Sequence, residues 1–407
     1  MTHSPTPSLS HEDLPAFIEQ RLDRAYLLDT LRRLARVPTD VPLGWDTLME
    51  PDDPKLVRYV QEVLRPELDG LGMLVRDVPR NNLVVELGSG TSGKSLLLQN
   101  YTPAQHHQYM QDPFSGQLKS AAEYGSDEPA VFGMGVSQTK AHQATMLAVL
   151  KLLQEHDITL SGSLYWAVNN EGRSSHACSE AILDALPQLP DFCIVQVQTA
   201  LTCSLGNRGR VDVAVHVRGK ATHSSAPHEG LSAIDGAFEA VRRLKGLTWP
   251  DEHPLLGSRH AVVYKMRFEP VAPHTLPSDA YMAIDRRLLP GDDPDAATEE
   301  IRACIGDMSP YEVEVTRDVF MLPALVDPQD PGIAALRESH RAMCGEELAT
   351  WYGQGAFDAG GLIARGVPAV MYGAGGESEL LGTDFVPVSA VEDEARVLAH
   401  LILTQLL

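Results

Sequence analysis

The stretch LYWAVNNEGRSSHAC, residues 164–178, ends an apolar run on two amides and one acid, Asn169, Asn170 and Glu171. Strand ends gather catalytic groups in α/β proteins, and a lone carboxylate among neutral amides suits a general base acting on water once burial raises its pKa. The plain alternative is a structural acid paired with a cation such as Lys140 or Arg173. Covalent chemistry finds less support: Ser137, Ser174, Ser175 and Cys178 are available nucleophiles, but there is no GxSxG elbow. The spacing of Ser137 and Lys140 in SQTK is read as coincidence.

The residue types that could hold a metal are scattered: His106 and His107 in AQHHQYMQD, His142, His176 and Asp358. Neighbours on an extended chain point in opposite directions, so at most one of His106 and His107 faces a given site. Each lone histidine reads first as a solvated or hydrogen-bonded residue, and a rebuilt metal site lacks donors.

Several elements must position these groups. VFGMGVSQTKAHQATMLAVLKLLQEH reads as a Gly-rich turn feeding a long buried helix, followed by the strand SGSLYWAVNN. Upstream, Ser10 before HEDLPAFIEQRL suggests a capped helix, AYLLDTLRRLARV and DPKLVRYVQEVLRPELDGLG read as helices, and NNLVVELGSG and KSLLLQNYTP as strands. This alternation predicts an α/β sheet covered by helices on both faces. From residue 208 the texture changes. RVDVAVHVRG alternates like a half-exposed strand, GLSAIDGAFEAVRRLKGL is an amphipathic helix, AYMAIDRRLL a strand and DPDAATEEIRACIG a helix. We expect an inserted α+β domain over 208–317, with 1–207 and 318–407 forming the main domain.

The 407 residues suffice for two domains without staples, and the formal charge of -22 argues against nucleic acid or an anionic membrane as partner. Cys178, Cys193, Cys203, Cys304 and Cys344 form no CxxC pair, which points to buried thiols in a reducing compartment. With no leader-like N-terminus and no apolar run of spanning length, we expect a soluble cytoplasmic protein.

The segments GKATHSSAP with EGLSAIDGAFEAVRRL, FGMGVSQTK, NEG, AIDRRLLPG and GQGAFDAGGLIARGVPAVMYG occur in one order across roughly residues 20–405. In that order they resemble the dinuclear-zinc deacylase and exopeptidase family, which includes acetylornithine deacetylase, succinyl-diaminopimelate desuccinylase, aminoacylase-1 and carboxypeptidase G. The resemblance implies a hydrolase-like catalytic domain with a mixed sheet, plus a ferredoxin-like lid that makes a homodimer.

The same resemblance exposes a departure. Where the family carries its metal ligands and general base, this chain has Leu98, Asn100, Gln138, Asn170, Glu171, Gln198 and Leu380. Only Glu171 keeps a ligand's chemistry. Clustered carboxylates repel unless cations neutralise them, so a site without metal should lose acids; amides keep the polar shape while removing the charge. We therefore expect no metal cofactor. By the same correspondence His223 matches a lid histidine that stabilises an oxyanion across the dimer, and Arg287 matches an arginine that grips the substrate carboxylate. His274 stands where the family has a lid asparagine, Gly355 matches a turn that approaches substrate, and Asp358 matches an acid read as structural.

The favoured expectation is a metal-independent hydrolase acting on a C–N bond of a small carboxylated substrate. Its base would be Glu171, its oxyanion donor His223, and Asn170, Asn100, Gln138 and Gln198 would orient the ligand. The alternatives are an inactive homodimer that binds a carboxylated small molecule, and a zinc deacylase with relocated ligands.

Overall fold

The computed structural model describes residues 10–45, 48–106, 109–171, 175–376 and 382–407. The chain divides into two compact units: Met1–Leu205 with Val326–Trp351 and Gly361–Leu407, and Gly206–Leu325 with Tyr352–Gly360. The expected second boundary at residue 317 moves to 325, because the strand Glu312–Met321 is an outer strand of the second unit's sheet. Tyr352–Gly360, expected in the main domain, joins the second unit as well.

The first unit opens with helices α1 (Leu14–Arg21) and α2 (Arg24–Ala35). Ser10 does not cap α1; its hydroxyl donates to Asp13 Oδ2 at 2.5 Å, one residue before the helix begins. Strands β1 (Val75–Val78), β2 (Asn82–Leu87) and β3 (Ser95–Tyr101) follow, with every residue of β3 buried. Helix α3 (Ala141–Glu155) is buried on nearly all sides, packed against α2 and the chain's last helix. Its entry requires a glycine: Gly135 sits at φ 80°, and a Cβ there would lie 2.5 Å from that of Ala104. Strand β4 (Ser163–Asn169), helix α4 (Ala177–Ala185) and strand β5 (Phe192–Val195) complete this half. Strands β4, β3 and β5 lie side by side in parallel, so their carboxyl ends share one edge.

The second unit is a four-stranded antiparallel sheet of β6 (Gly209–Arg218), β7 (Ala261–Glu269), β8 (Asp279–Leu288) and β9 (Glu312–Met321). With α5 (Ala233–Leu244) and α6 (Pro294–Ile305) inserted, the chain order is βαββαβ and the sheet order β7-β8-β6-β9, a ferredoxin-like arrangement. Alternation in β8 turns Ala280, Met282, Ile284 and Leu288 into a core shared with Val211, Val213, Val215 and Val217 of β6 and with both helices. Sequence reading missed β7 and β9, whose residues are only partly buried and interleave charged with apolar side chains.

The first unit then resumes with α7 (Pro331–Cys344), β10 (Ala369–Met371), parallel to β5, and α8 (Val388–Leu406), which packs on α3 and α7. The order β1-β2-β4-β3-β5-β10 mixes parallel and antiparallel neighbours. No described helix is long and apolar enough to cross a membrane.

Candidate functional site

Residues singled out by the sequence fall into two groups, one in each unit. In the first unit they gather at the carboxyl edge of β4, β3 and β5. Leu98 and Asn100 are wholly buried near the end of β3. Asn100 offers a donor and an acceptor, and neither has a partner among the described residues. Asn170, one residue past β4, donates its side-chain N–H to Asn81 O at 2.6 Å, and its backbone N–H goes to Asn82 Oδ1 at 2.9 Å. Its Oδ1 is buried without a partner among the described residues. Gln138, in the turn before α3, accepts the Gln105 N–H at 2.6 Å through Oε1, and Gln198 lies half-buried just beyond β5.

Glu171 has a structural task. Its Oε1 accepts the N–H groups of Ser175 at 3.3 Å and Ala177 at 3.2 Å, and its Oε2 accepts that of Cys178 at 2.9 Å. A helix start leaves its first N–H groups without intrahelical partners, and the carboxylate supplies acceptors for α4 while opposing the helix dipole. The Glu171 N–H in turn donates to Asn169 Oδ1 at 2.8 Å, and Asn169 Nδ2 donates to Ser179 Oγ at 3.1 Å. Lys140, the cation considered for Glu171, donates to Thr39 Oγ1 at 2.8 Å and lies 3.5 Å from the centre of the Tyr59 ring. Burial pushes its pKa well down. Arg173, Ser174, His107 and Leu380 lie outside the described residues.

Whether two zinc ions fit here is a question of donors. Among the described residues no group of three or more His, Cys, Asp or Glu side chains is placed to hold a metal. At the corresponding positions stand two leucines, four amides and one carboxylate engaged by a helix, whereas zinc needs three or four imidazole, thiolate or carboxylate donors. The residues do not fit the metal pair. The other histidines considered have their own surroundings: burial lowers the His176 pKa, and His142 pairs with Glu394.

In the second unit, His223 is exposed and its Nδ1 accepts the Ser225 N–H at 3.2 Å. Ser225 Oγ also lies 2.8 Å from Nδ1, and with Nδ1 as acceptor Nε2 carries the hydrogen and can donate. His274, at φ 50°, accepts the Ser224 N–H through its carbonyl at 2.7 Å, and the two imidazole rings lie 6.1 Å apart. Arg287 is largely buried; its Nη2 meets Asp285 Oδ2 at 2.8 Å and its Nη1 reaches Gln354 O at 3.5 Å, beside Gly355. Asp358 also belongs to this unit.

Sequence reading missed Arg208. Its Nε donates to Leu256 O at 2.6 Å and its Nη1 lies 3.2 Å from His260 Nδ1. Burial lowers its pKa, and the charge of Arg287 adds to that. The same two arginines, after burial, hold His260 below its ordinary value. A guanidinium such as Arg208, whose charge is disfavoured by burial and by a second guanidinium, favours a nearby anion. The sequence signal was slight, an arginine before the glycine that opens β6.

Residues 205–312 match the family model described as a peptidase dimerisation domain. Over 185 residues the chain is 28% identical to acetylornithine deacetylase of Proteus mirabilis (strain HI4320), covering 44% of this chain and 45% of that protein. These matches support the M20 deacylase and exopeptidase family for this chain. The chain matches less than half the length of that relative. Its fold is that of the di-peptidase Dug1p from Saccharomyces cerevisiae, with a TM-score of 0.76 at 12% identity over 97% of this chain and 98% of the other. It is also that of the M20 family metallo-carboxypeptidase from Sulfolobus solfataricus, with a TM-score of 0.72 at 15% identity over 92% and 98%.

Proposed function

We propose that this M20 member hydrolyses a C–N bond of a small carboxylated substrate without the two zinc ions of its family. The observation that carries this reading is the donor set at the strand edge: Leu98, Asn100, Gln138, Asn170 and Gln198 offer no metal-binding charge but line the edge with amides. The substrate class is supported by Arg287 and Arg208, whose planar forks suit a carboxylate. His223, with Nε2–H available, supports the role of donor to the carbonyl oxygen that gains charge during attack, and His274 and Gly355 would shape the ligand's surroundings.

Asn170, at the family's base position, cannot take a proton and would orient the ligand. Glu171 could act as base only by releasing N–H groups of α4. That observation favours a second reading, in which the chain binds a carboxylated ligand without turning it over.

The partner we infer is a second copy of the chain, joined through the second unit, as the match to a peptidase dimerisation domain supports. Five unpaired cysteines support a cytoplasmic setting. The deciding experiment supplies N-acyl amino acids to protein prepared in a strong chelator. Release of the free amino acid supports hydrolysis, whereas ligand-dependent thermal stabilisation with no release leaves the binding reading. Activity that disappears in chelator and returns with zinc would end the metal-free reading.

A further inference from the structure

Behind the amide-lined edge lies a buried pair that the sequence correspondence does not involve. His142, near the start of α3, places Nδ1 2.9 Å from Glu394 Oε1 and 3.0 Å from Oε2, and both side chains are wholly buried. Glu394, from α8, also accepts Gln196 Nε2 at 3.0 Å and the Ala374 N–H at 3.1 Å. The carboxylate is therefore fixed from three directions. A carboxylate on Nδ1 holds the imidazole with its other nitrogen bare, the arrangement by which histidines are oriented for proton transfer.

That other nitrogen, His142 Nε2, is buried with no partner among the described residues. The same holds for Gln196 Oε1 and for both polar atoms of Asn100. Gln196 is linked to each of the other two. Gln196 and His142 bond the same oxygen of Glu394, and the Gln196 N–H donates to Gln99 O at 2.8 Å, which sets Gln196 beside Asn100 on one face of the parallel pair. Each buried polar group without a partner costs about 1–3 kcal/mol, so a purely structural role would leave several such costs uncompensated on one spot. One water molecule would answer most of them, donating to His142 Nε2 and Gln196 Oε1 and accepting from Asn100 Nδ2.

We propose that His142, oriented by Glu394, is the proton-transfer group of this site and that Asn100 and Gln196 hold the attacking water against it. This rests on the hydrolase reading above and gives it a base other than Glu171. In the step, the water oxygen bonds to the acyl carbon as one water proton passes to His142 Nε2. The C–N bond then breaks, and the same proton passes to the departing nitrogen. The acyl group leaves as an acid and the nitrogen as an amine, with His142 restored and no co-reactant consumed.

Two measurements test the proposal separately from the function. In protein labelled with ¹⁵N-histidine at pH 8, the resonances lost in His142→Gln identify His142. They should report a hydrogen on Nδ1 and none on Nε2, and Glu394→Gln should disturb that pattern. A hydrogen on Nε2 overturns the proposal whether or not any substrate is known. For turnover of N-acyl amino acids in chelator, His142→Gln should lower kcat by about 100-fold or more with KM within about threefold, and Glu394→Gln should lower it about tenfold. Unchanged kcat in His142→Gln overturns the assignment. If His142→Gln fails to fold, Glu394→Gln carries the kinetic test, since it keeps the size of the side chain while removing the charge that orients the imidazole. Should the wild type hydrolyse none of these compounds, the hydrolase reading fails, and the tautomer measurement still decides whether Nε2 is held ready.

Discussion

Glu171 and Cys178 are joined across the start of α4, the carboxylate accepting the Cys178 N–H at 2.9 Å while two further backbone N–H groups reach its other oxygen. Glu171 thus holds the start of a helix in place. Glu171→Ala should destabilise the protein by about 1–2 kcal/mol in urea unfolding, the usual cost of losing a helix-start acceptor. Glu171→Gln should cost less, because its oxygen still accepts, and should keep turnover within about threefold if proton transfer belongs to His142. A loss of about 100-fold in Glu171→Gln with unchanged stability would return the base role to Glu171.

Metal response gives a second test. A protein that binds zinc tightly in its folded state gains stability as RT ln(1 + [Zn]/Kd), so a micromolar site exposed to about 100 μM zinc would add about 2.7 kcal/mol. With amides and two leucines at the positions that the resemblance matches to the family's ligands, we expect Tm to be the same within about 1 °C in excess zinc and in chelator. A rise of several degrees with zinc would mean that donors outside the corresponding positions assemble a metal site.

The sequence made the parallel edge legible because β3 and β4 are unbroken apolar runs ending in amides, and a continuous apolar run reads as a strand buried on both faces. It also raised the expectation that the family's ligands are replaced, since Asn for an acid is visible at the offset that the resemblance supplies. What it could not give was direction. Nothing in NEGRSSHAC says that the Glu171 carboxylate turns towards Cys178, because that depends on where α4 starts. The pair of His142 and Glu394 spans 252 residues and joins two helices that look like ordinary core in the sequence. Arg208 escaped for the same reason, as its relation to Arg287 arises only when the sheet of the second unit forms.

Acid should act on the second unit through Asp292. Burial alone pushes this carboxyl up, but Arg259 at 2.7 Å and 2.8 Å, the Leu289 N–H at 3.0 Å and Arg286 hold it below the ordinary aspartate value. A carboxyl whose folded value is depressed contributes stability above the unfolded value, and loses it as pH falls through the folded one. Unfolding free energy should therefore drop below about pH 4 more steeply in the wild type than in Asp292→Asn. At pH 6 the variant should be less stable, because Arg259 and Arg286 lose their shared partner. Parallel pH profiles for the two proteins would remove Asp292 from the acid response.

Self-association should run along one side of the second unit. Strand β7 is the outer strand of its sheet, with Val262 and Tyr264 exposed, and the neighbouring helix α5 exposes Phe238. An unpaired strand edge beside exposed apolar side chains invites a second copy, which would extend the sheet symmetrically. Sedimentation should find a dimer for the wild type and a monomer for the double substitution Val262→Glu with Phe238→Glu, while circular dichroism remains unchanged. A dimer that persists in the double variant would place the contact elsewhere.

The grip on a carboxylate should need both arginines. Arg287 and Arg208 lie near enough for one charge to lower the other's pKa, and a bound carboxylate would relieve that repulsion while taking N–H bonds from two planar groups. Arg287→Lys and Arg208→Lys keep the charge but lose the fork, so each should weaken binding of N-acyl amino acids by about tenfold. Because the two act on one ligand group, the double variant should lose less than the sum of the single losses, and the shortfall measures their coupling. The corresponding carboxamides should bind the wild type weakly and should be nearly indifferent to either substitution. Equal affinity for acid and carboxamide would show that the pair does not read the carboxylate, and the substrate class would have to be sought among neutral compounds.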